Sequence, residues 1–324
     1  MKRSFMVAWA IVAMATVALV NGPARAEYPE RPIQVIVPWS AGGGTDATGR
    51  MIAKIMQDEL GVPVNVVNRT GGGGVVGHQA IASAKPDGYT IGIVTVEIAM
   101  MHWIGLTELS YKDYTPIALY NADPAGVSVN IDSKYNDVGA LLADAKANPG
   151  DMKASGTGQG GIWHLALAGM LVEAGMESNA IGWVPSQGAA PAFADLAAGG
   201  IDAVTASVVE ARALMEAGKV KVLAVMNDTR LDAFPDIPTL TEAGGPDWTT
   251  AAWRTVAGPK GLPADIQAKL AATVEKVYNS QEFKDFMANR GFGMIWGGPD
   301  DLAKHYETSD ADYGKVLKAV GLAK

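Results

Sequence analysis

Short apolar runs of strand length alternate along this chain with stretches in which apolar residues return every three or four positions, the spacing of strands handing over to helices. "PIQVIVP" (32–38) reads as a strand. "DATGRMIAKIMQDELG" follows it, with Ile52, Ile55, Met56 and Leu60 on one helical face and Gly61 placed as a stop. "VPVNVVN" (62–68) and "YTIGIVTV" (89–96) are further strands, and "TGGGGVVGHQAIASAKPDG" between them is a glycine loop, a short helix and a turn. The pattern resumes with "DMKAS", "GTGQGG" and the helical "IWHLALAGMLVEAG", then "AIGWVP", "SQGAAPAFADLAAGG", "IDAVTA", "SVVEARALMEAG" and "VKVLAVM". Two such blocks predict an α/β fold in two lobes.

Two long connections join the blocks. "YTPIALYNADPAGVSVNID" (114–132) is extended and passes from the first block to the second. The proline-rich stretch from "TRLDAFPDIPTLTEAGGPDW" to "TTAAWRTVAGPKGLP" returns, and the tail from Pro263 to Lys324 reads as mostly helical. The expected division is 27–125 with 247–324 for a discontinuous first domain and 126–246 for the second. Two crossings between lobes make a hinge that closes over a ligand.

Composition narrows the picture. A chain of 324 residues that is 48% apolar and 19% charged has ample core, and a formal charge of −8 disfavours nucleic acid as a partner. Residues 1–26 carry Lys2 and Arg3, a 16-residue apolar run and the small-residue pattern "ARA", which predicts a signal peptide cleaved after Ala26 and export to the periplasm. Losing Lys2, Arg3 and Arg25 takes the charge from −8 to −11. The chain has no cysteine, so disulfides, thiolate metal sites and cysteine nucleophiles are excluded. No second long apolar run follows, and a soluble monomer is expected.

The candidate chemistry lies in the glycine loops. A helix start exposes unpaired N–H groups and the positive end of the helix dipole, and a loop without Cβ atoms lets an anion approach them closely. "SAGGGTD" (Ser40–Asp46) is one such cradle, with Thr45 or Asp46 as the helix cap; a plain structural turn is the alternative. No lysine follows the glycines as a phosphate-binding P-loop requires. "GTGQGG" satisfies the dinucleotide pattern, but the next strand, "AIGWVPS", ends without the acidic residue that would hold a ribose. A second amide cradle facing the first is the preferred reading. The cluster Gly71–Gly74, with Gly77 and His78, is expected to be a turn more than a pocket wall. Trp39, Trp163 and Trp183 lie near the loops and offer apolar contact, or ordinary packing. Ser40, Ser155, Ser186 and Ser207 fall near strand ends, where each can donate to a carboxylate or cap a helix. His78, His102, His164 and His305 show no metal spacing, and no nucleophile elbow occurs. No cofactor, metal or catalytic residue is predicted. The rival readings are a dehydrogenase built on "GTGQGG" or an anion-handling lyase.

"RPIQVIVPWSAGGGTDATGRMIA", "GGGGVVGHQAIASAKPDGYTIGI", "VPSQGAAPAFADLAAGGIDAV", "GKVKVLAV" and "FPDIPTLTEAGGPDW" stand in this order. On them the chain resembles the extracytoplasmic receptors of tripartite tricarboxylate transporters, the Bug receptors. The resemblance implies a type II periplasmic-binding fold of the Venus-flytrap kind and ligands that are carboxylates: di- or tricarboxylates, acidic amino acids or aromatic acids. It also implies a permease of a large and a small membrane subunit as partner; a receptor feeding a sensor protein is a further alternative. The matching loops place ligand binding on Trp39, Ser40, Ala41, Gly42, Gly43, Gly44, Thr45 and Asp46, and on Ser155, Gly156, Thr157, Gly158, Gln159 and Gly160. "WVPSQG" departs from the usual "HVPYKG" of the family, so Trp183, Ser186 and Gln187 change the pocket wall; Trp183 and Ser186 are added to the ligand-binding residues, with Ser207 as a strand-end serine able to donate to a carboxylate. Arg254, in "AWRTV", is expected to face solvent, a contact with a distal carboxylate being the alternative. Gly43→Val is expected to abolish ligand-induced stabilisation while sparing the ligand-free fold.

Overall fold

The computed structural model describes residues 28–324, so the predicted signal peptide lies outside the described residues. The first lobe begins with β1 (Ile33–Val37), α1 (Gly44–Leu60), β2 (Val64–Asn68), α2 (Val75–Ala82), β3 (Thr90–Thr95) and β4 (Tyr114–Pro124). The chain then enters the second lobe through β5 (Gly126–Asn130), α3 (Val138–Ala147), β6 (Lys153–Ser155), α4 (Ile162–Glu173), β7 (Gly182–Trp183), α5 (Ala189–Ala197), β8 (Ala203–Val204), α6 (Val208–Glu216) and β9 (Val220–Val225). It returns with β10 (Ala251–Pro259), α7 (Ala264–Asn279), α8 (Gln281–Arg290), β11 (Met294–Gly297) and α9 (Pro299–Ala319). The two sheets run in the orders β11-β4-β10-β3-β1-β2 and β7-β6-β8-β5-β9.

The apolar runs of β1 and β3 pair in parallel, and Ile33, Val35, Ile36, Ile91 and Ile93 are all at most 2% exposed. Strands covered on both faces read as continuous apolar runs for this reason. Ile52, Ile55 and Met56 of α1 belong to the core above them, as the helical spacing predicts. Gly61 takes the left-handed conformation at the end of α1 (φ 69°) and its N–H donates to Gln57 O, the stop that a residue with a Cβ resists.

Strand β10, from far along the chain, lies between β3 and β4 and is antiparallel to both. The first sheet is therefore completed only after the second lobe has been built, which is the discontinuity the two crossings predicted. The crossings also touch. Ala125 N–H donates to Thr250 O at 2.9 Å, Met226 N–H to Ala125 O at 2.7 Å, and Thr250 N–H to Met226 O at 3.3 Å.

The sequence reading needs three corrections. The tail contains β11, which pairs with β4 at the sheet edge. Helix α3 follows the first crossing, its start capped by the Asp137 carboxylate accepting from Ala140 N–H at 2.7 Å. Strands β7 and β8 are only two residues long, shorter than the apolar runs "AIGWVP" and "IDAVTA" that contain them.

Gly92, in the middle of β3, has no room for a side chain: a Cβ there would overlap Ile81 and come to 3.0 Å from Ile36 O. Gly92→Ala is expected to destabilise the fold by about 1–3 kcal/mol. Calorimetry should show Tm falling by about 2–4 °C per kcal/mol.

Candidate functional site

Helix α1 opens directly from the first glycine loop. Its cap residue is Gly43, in extended conformation, and neither Thr45 nor Asp46 holds that position as expected. Asp46 sits in the first turn and reaches back, accepting from Gly42 N–H at 3.0 Å, while Arg50 and Asn68 donate to the same carboxylate. Burial works to raise its pKa, but Arg50, the Gly42 amide and Asn68 outweigh that and hold it below the usual carboxylate value. The first helical amide, Gly44 N–H, already has a partner: it donates at 2.8 Å to Glu210 Oε1, from α6 of the other lobe.

The second loop repeats the arrangement in mirror sense. Helix α4 is capped by Gly161, and its first amide, Ile162 N–H, donates at 3.4 Å to Glu97 Oε1. Glu97 belongs to the first lobe, in the 3-10 turn Val96–Ala99 that follows β3. Each glycine loop thus presents its helix start to a glutamate carried by the opposite lobe. A carboxylate at a helix start is stabilised by the dipole and by the otherwise unpaired amides.

A buried chain of hydrogen bonds fixes Glu97. Thr95 Oγ1 donates to Glu97 Oε2 and accepts from Trp39 Nε1 at 3.2 Å. Thr95 N–H donates to His78 Nε2 at 3.1 Å, and His78 Nδ1 lies 2.9 Å from Gly74 O. This pairing requires a neutral ring protonated on Nδ1, and burial lowers the His78 pKa to about 4. The Glu97 pKa is raised, with burial the largest cause.

Arg254 overturns its sequence reading. It is 2% exposed, not solvent-facing, and lies at the centre of β10 beneath the start of α1. Its guanidinium binds Asp123 and Asn121, its Nε donates to Thr45 Oγ1 at 2.9 Å, and its Nη2 stands 3.9 Å from Glu210 Oε1. Burial disfavours the cation, yet Asp123 and Glu210 keep its pKa above the ordinary arginine value. Glu210, with an 8% exposed side chain, is pushed up by burial and pulled down by Arg254 and the Gly44 amide, with a net rise.

A cavity of about 20 Å³, room for roughly one water centre, lies between the lobes. Of the predicted residues, Trp39, Ser40, Gly43, Gly44, Thr45 and Thr157 line it. Ala41 and Gly42 are exposed on the rim, as is Gln159, and Asp46 is turned toward Arg50. Ser155 donates to Val184 O at 2.6 Å, Ser186 to Gly188 O at 2.9 Å, and Ser207 to Glu210 Oε2 at 3.2 Å. Trp183 packs behind the second loop, stacked on His164 at 4.8 Å and close to Gly156. Two buried hydroxyls at the cavity, Ser40 Oγ from the first lobe and Thr157 Oγ1 from the second, have no hydrogen-bond partner among the described residues.

The lining also includes Thr95, Glu97, Trp163, Glu210, Trp253 and Arg254. The sequence did carry a signal for three of these residues. Glu97 is the lone charge in "IVTVEIAMM", Arg254 the lone charge in a strand-like "AAWRTVAG", and Glu210 an acid in the first turn after "IDAVTA". A charge inside an apolar run is either a misread element or a buried, paired group.

Some glycines of the loops meet the opposite lobe, and others are crowded by their own. A Cβ on Gly158 would overlap Gly73 Cα. Gly71–Gly74 all have positive φ and form a tight turn that packs against Trp39 through Gly74 and against Gly158 through Gly73; none of the four lines the cavity. A Cβ on Gly44 would meet Arg254 Nη2 at 2.8 Å and Glu210 Oε1 at 3.1 Å, whereas at Gly43 the nearest atoms stand at 3.6 and 3.7 Å. The sterically critical position is therefore Gly44, one residue after the expected one.

The family model "Tripartite tricarboxylate transporter family receptor" matches residues 48–322. The chain is similar to a TctC solute-binding protein from Polaromonas, solved with no ligand, at 34% identity and TM-score 0.64, over 90% of this chain and 100% of that one. It is similar to Rpa4515 of R. palustris with adipate at 30% identity and TM-score 0.86, over 92% and 99% of the two chains. It is also similar to MatC of Rhodopseudomonas palustris with bound malate at 26% identity and TM-score 0.83, over 90% and 100%. The arrangement superposes better on the adipate and malate complexes than on the ligand-free protein, although the latter is more similar in sequence.

Burial also lowers the His164 pKa to about 4. With folded values below the unfolded value of about 6.5, both histidines contribute stability that is present above pH 6.5 and lost as pH falls through about 4. The raised values of Glu97 and Glu210 act in the opposite sense, their contribution fading as pH rises through the folded pKa. Urea unfolding of His78→Gln should therefore show a shallower loss of stability from pH 6.5 to 4, the difference reaching up to about 3 kcal/mol.

Proposed function

This chain belongs to the tripartite tricarboxylate transporter receptor family, and we propose that it is a periplasmic receptor that closes two lobes, 27–125 with 247–324 and 126–246, over one small organic acid. The released acid passes to the membrane subunits of a transporter. The observation that carries this reading is the pair of unpartnered buried hydroxyls, Ser40 Oγ and Thr157 Oγ1, one from each lobe at the same cavity. Buried polar atoms are nearly always hydrogen-bonded, and a solute held between the lobes supplies the partner both lack.

Closure and binding are then one event. The cavity holds about one water centre, so the solute enters an opened cleft and the lobes shut on it about the tie of Ala125, Met226 and Thr250. The glycine contacts across the cleft are what allow the lobes to approach so closely. Micromolar binding needs about 8 kcal/mol, and one helix start supplies at most about 2. Desolvated hydrogen bonds and the Trp39, Trp163 and Trp253 rings at the cavity provide the rest. The role is capture and release, without a chemical step. The adipate and malate held by the two complexes above support the choice of an organic acid.

A thermal-shift screen of small organic acids on the mature protein tests this reading. At least one acid should raise Tm, and the rise should be lost in Gly44→Val but kept in Gly43→Ala, which the local space admits. Retention of the shift in Gly44→Val would place the site elsewhere.

A further inference from the structure

The cavity described above carries its own anions. Its lining contributes two carboxylates, Glu97 and Glu210, and one guanidinium, Arg254. That guanidinium is committed to Asp123 behind it. Three buried carboxylates therefore share one cation. Glu97 is 3% exposed and Asp123 1%, so little solvent screens them. Uncompensated buried charge costs several kcal/mol per ion. A plain diacid entering here would add two further negative charges and compete with Glu97 and Glu210 for the Ile162 and Gly44 amides.

From this geometry we infer that Glu97 and Glu210 form a cation subsite, and that the solute carries an ammonium or similar positive nitrogen which the two glutamates receive. This rests on the receptor reading above and specifies its substrate class: a solute whose positive charges at least equal its negative ones. An independent observation points to a ligand at the same place. Thr157 Oγ1, in a residue 5% exposed, has no partner. It lies 3.0 Å from the point where a Cβ on Gly161 would sit, and Glu97 Oε1 lies 3.5 Å from that same point. The hydroxyl and the carboxylate oxygen both border Gly161 at the start of α4, and each can accept from an N–H-rich group. The Trp39 and Trp163 side chains add apolar wall beside the two carboxylates. An acid group at the other end of the solute has the Ser40 hydroxyl and the Trp253 Nε1–H, neither of which has a partner among the described residues.

The test compares succinate, γ-aminobutyrate and putrescine, matched in chain length, by thermal shift and calorimetric titration on the mature protein and on Glu97→Gln and Glu210→Gln. The expected result is stabilisation by an amine-bearing member above that by succinate. Each glutamine variant should weaken it about tenfold, the loss of a hydrogen bond to a charged group, while its ligand-free Tm stays at or above that of the parent. Stabilisation by succinate equal to or above that by the amines overturns the cation subsite and leaves the receptor reading intact. So does an amine affinity unchanged in both variants. No stabilisation by these or by any acid of the wider screen, with no small molecule retained in native mass spectrometry, overturns both.

Discussion

A helix start buried in an interface must find partners for its amides. This protein has two such starts facing each other across a cleft, and everything at its centre follows from how they are satisfied. Gly44 N–H is met by Glu210 and Ile162 N–H by Glu97, each glutamate coming from the lobe opposite the helix it caps. The two contacts run in opposite directions across the cleft, so neither can form while the lobes are apart. On the reading proposed above, the helix starts report closure and the carboxylates are the groups that a ligand meets.

Buried hydrogen bonds and one buried cation hold those two carboxylates in place. His78, Thr95 and Trp39 fix Glu97 through a chain of buried bonds. Arg254 and Ser207 fix Glu210. Arg254 itself is held by Asp123 and Asn121 on β4, the strand that continues past Ala125 into the second lobe. The cation beneath the site is thus anchored beside the crossing between the lobes. The acid-rich wall of this cleft is formed by Glu97 and Glu210.

Much of the fold was legible because the apolar periodicity of β1, α1 and β3 is unbroken and Gly61 stops the helix where a left-handed residue is needed. The two crossings were legible as long extended stretches. Strand β11 was not, since "MIWG" is four residues of edge strand whose pairing is decided by β4, far away in sequence. At the site, the glycine loops announced themselves and six of their predicted residues line the cavity. What was missed is the charge that answers them. Local pattern gives a helix start and a loop, but it does not say which distant carboxylate will cap it. Arg254 was misjudged for the same reason: its partners, Asn121 and Asp123, are more than a hundred positions away in sequence and meet it only through strand pairing.

The central claim is that cross-lobe carboxylates hold the helix starts when the lobes are closed. Because the chain contains no cysteine, spin labels can be placed on Asp58→Cys in the first lobe and Lys146→Cys in the second, both exposed positions. The distance between them can then be measured by electron–electron double resonance on ligand-free protein. The account predicts a distribution that moves to longer distances when Glu97 and Glu210 are both replaced by alanine. A distribution indistinguishable from that of the parent would contradict it.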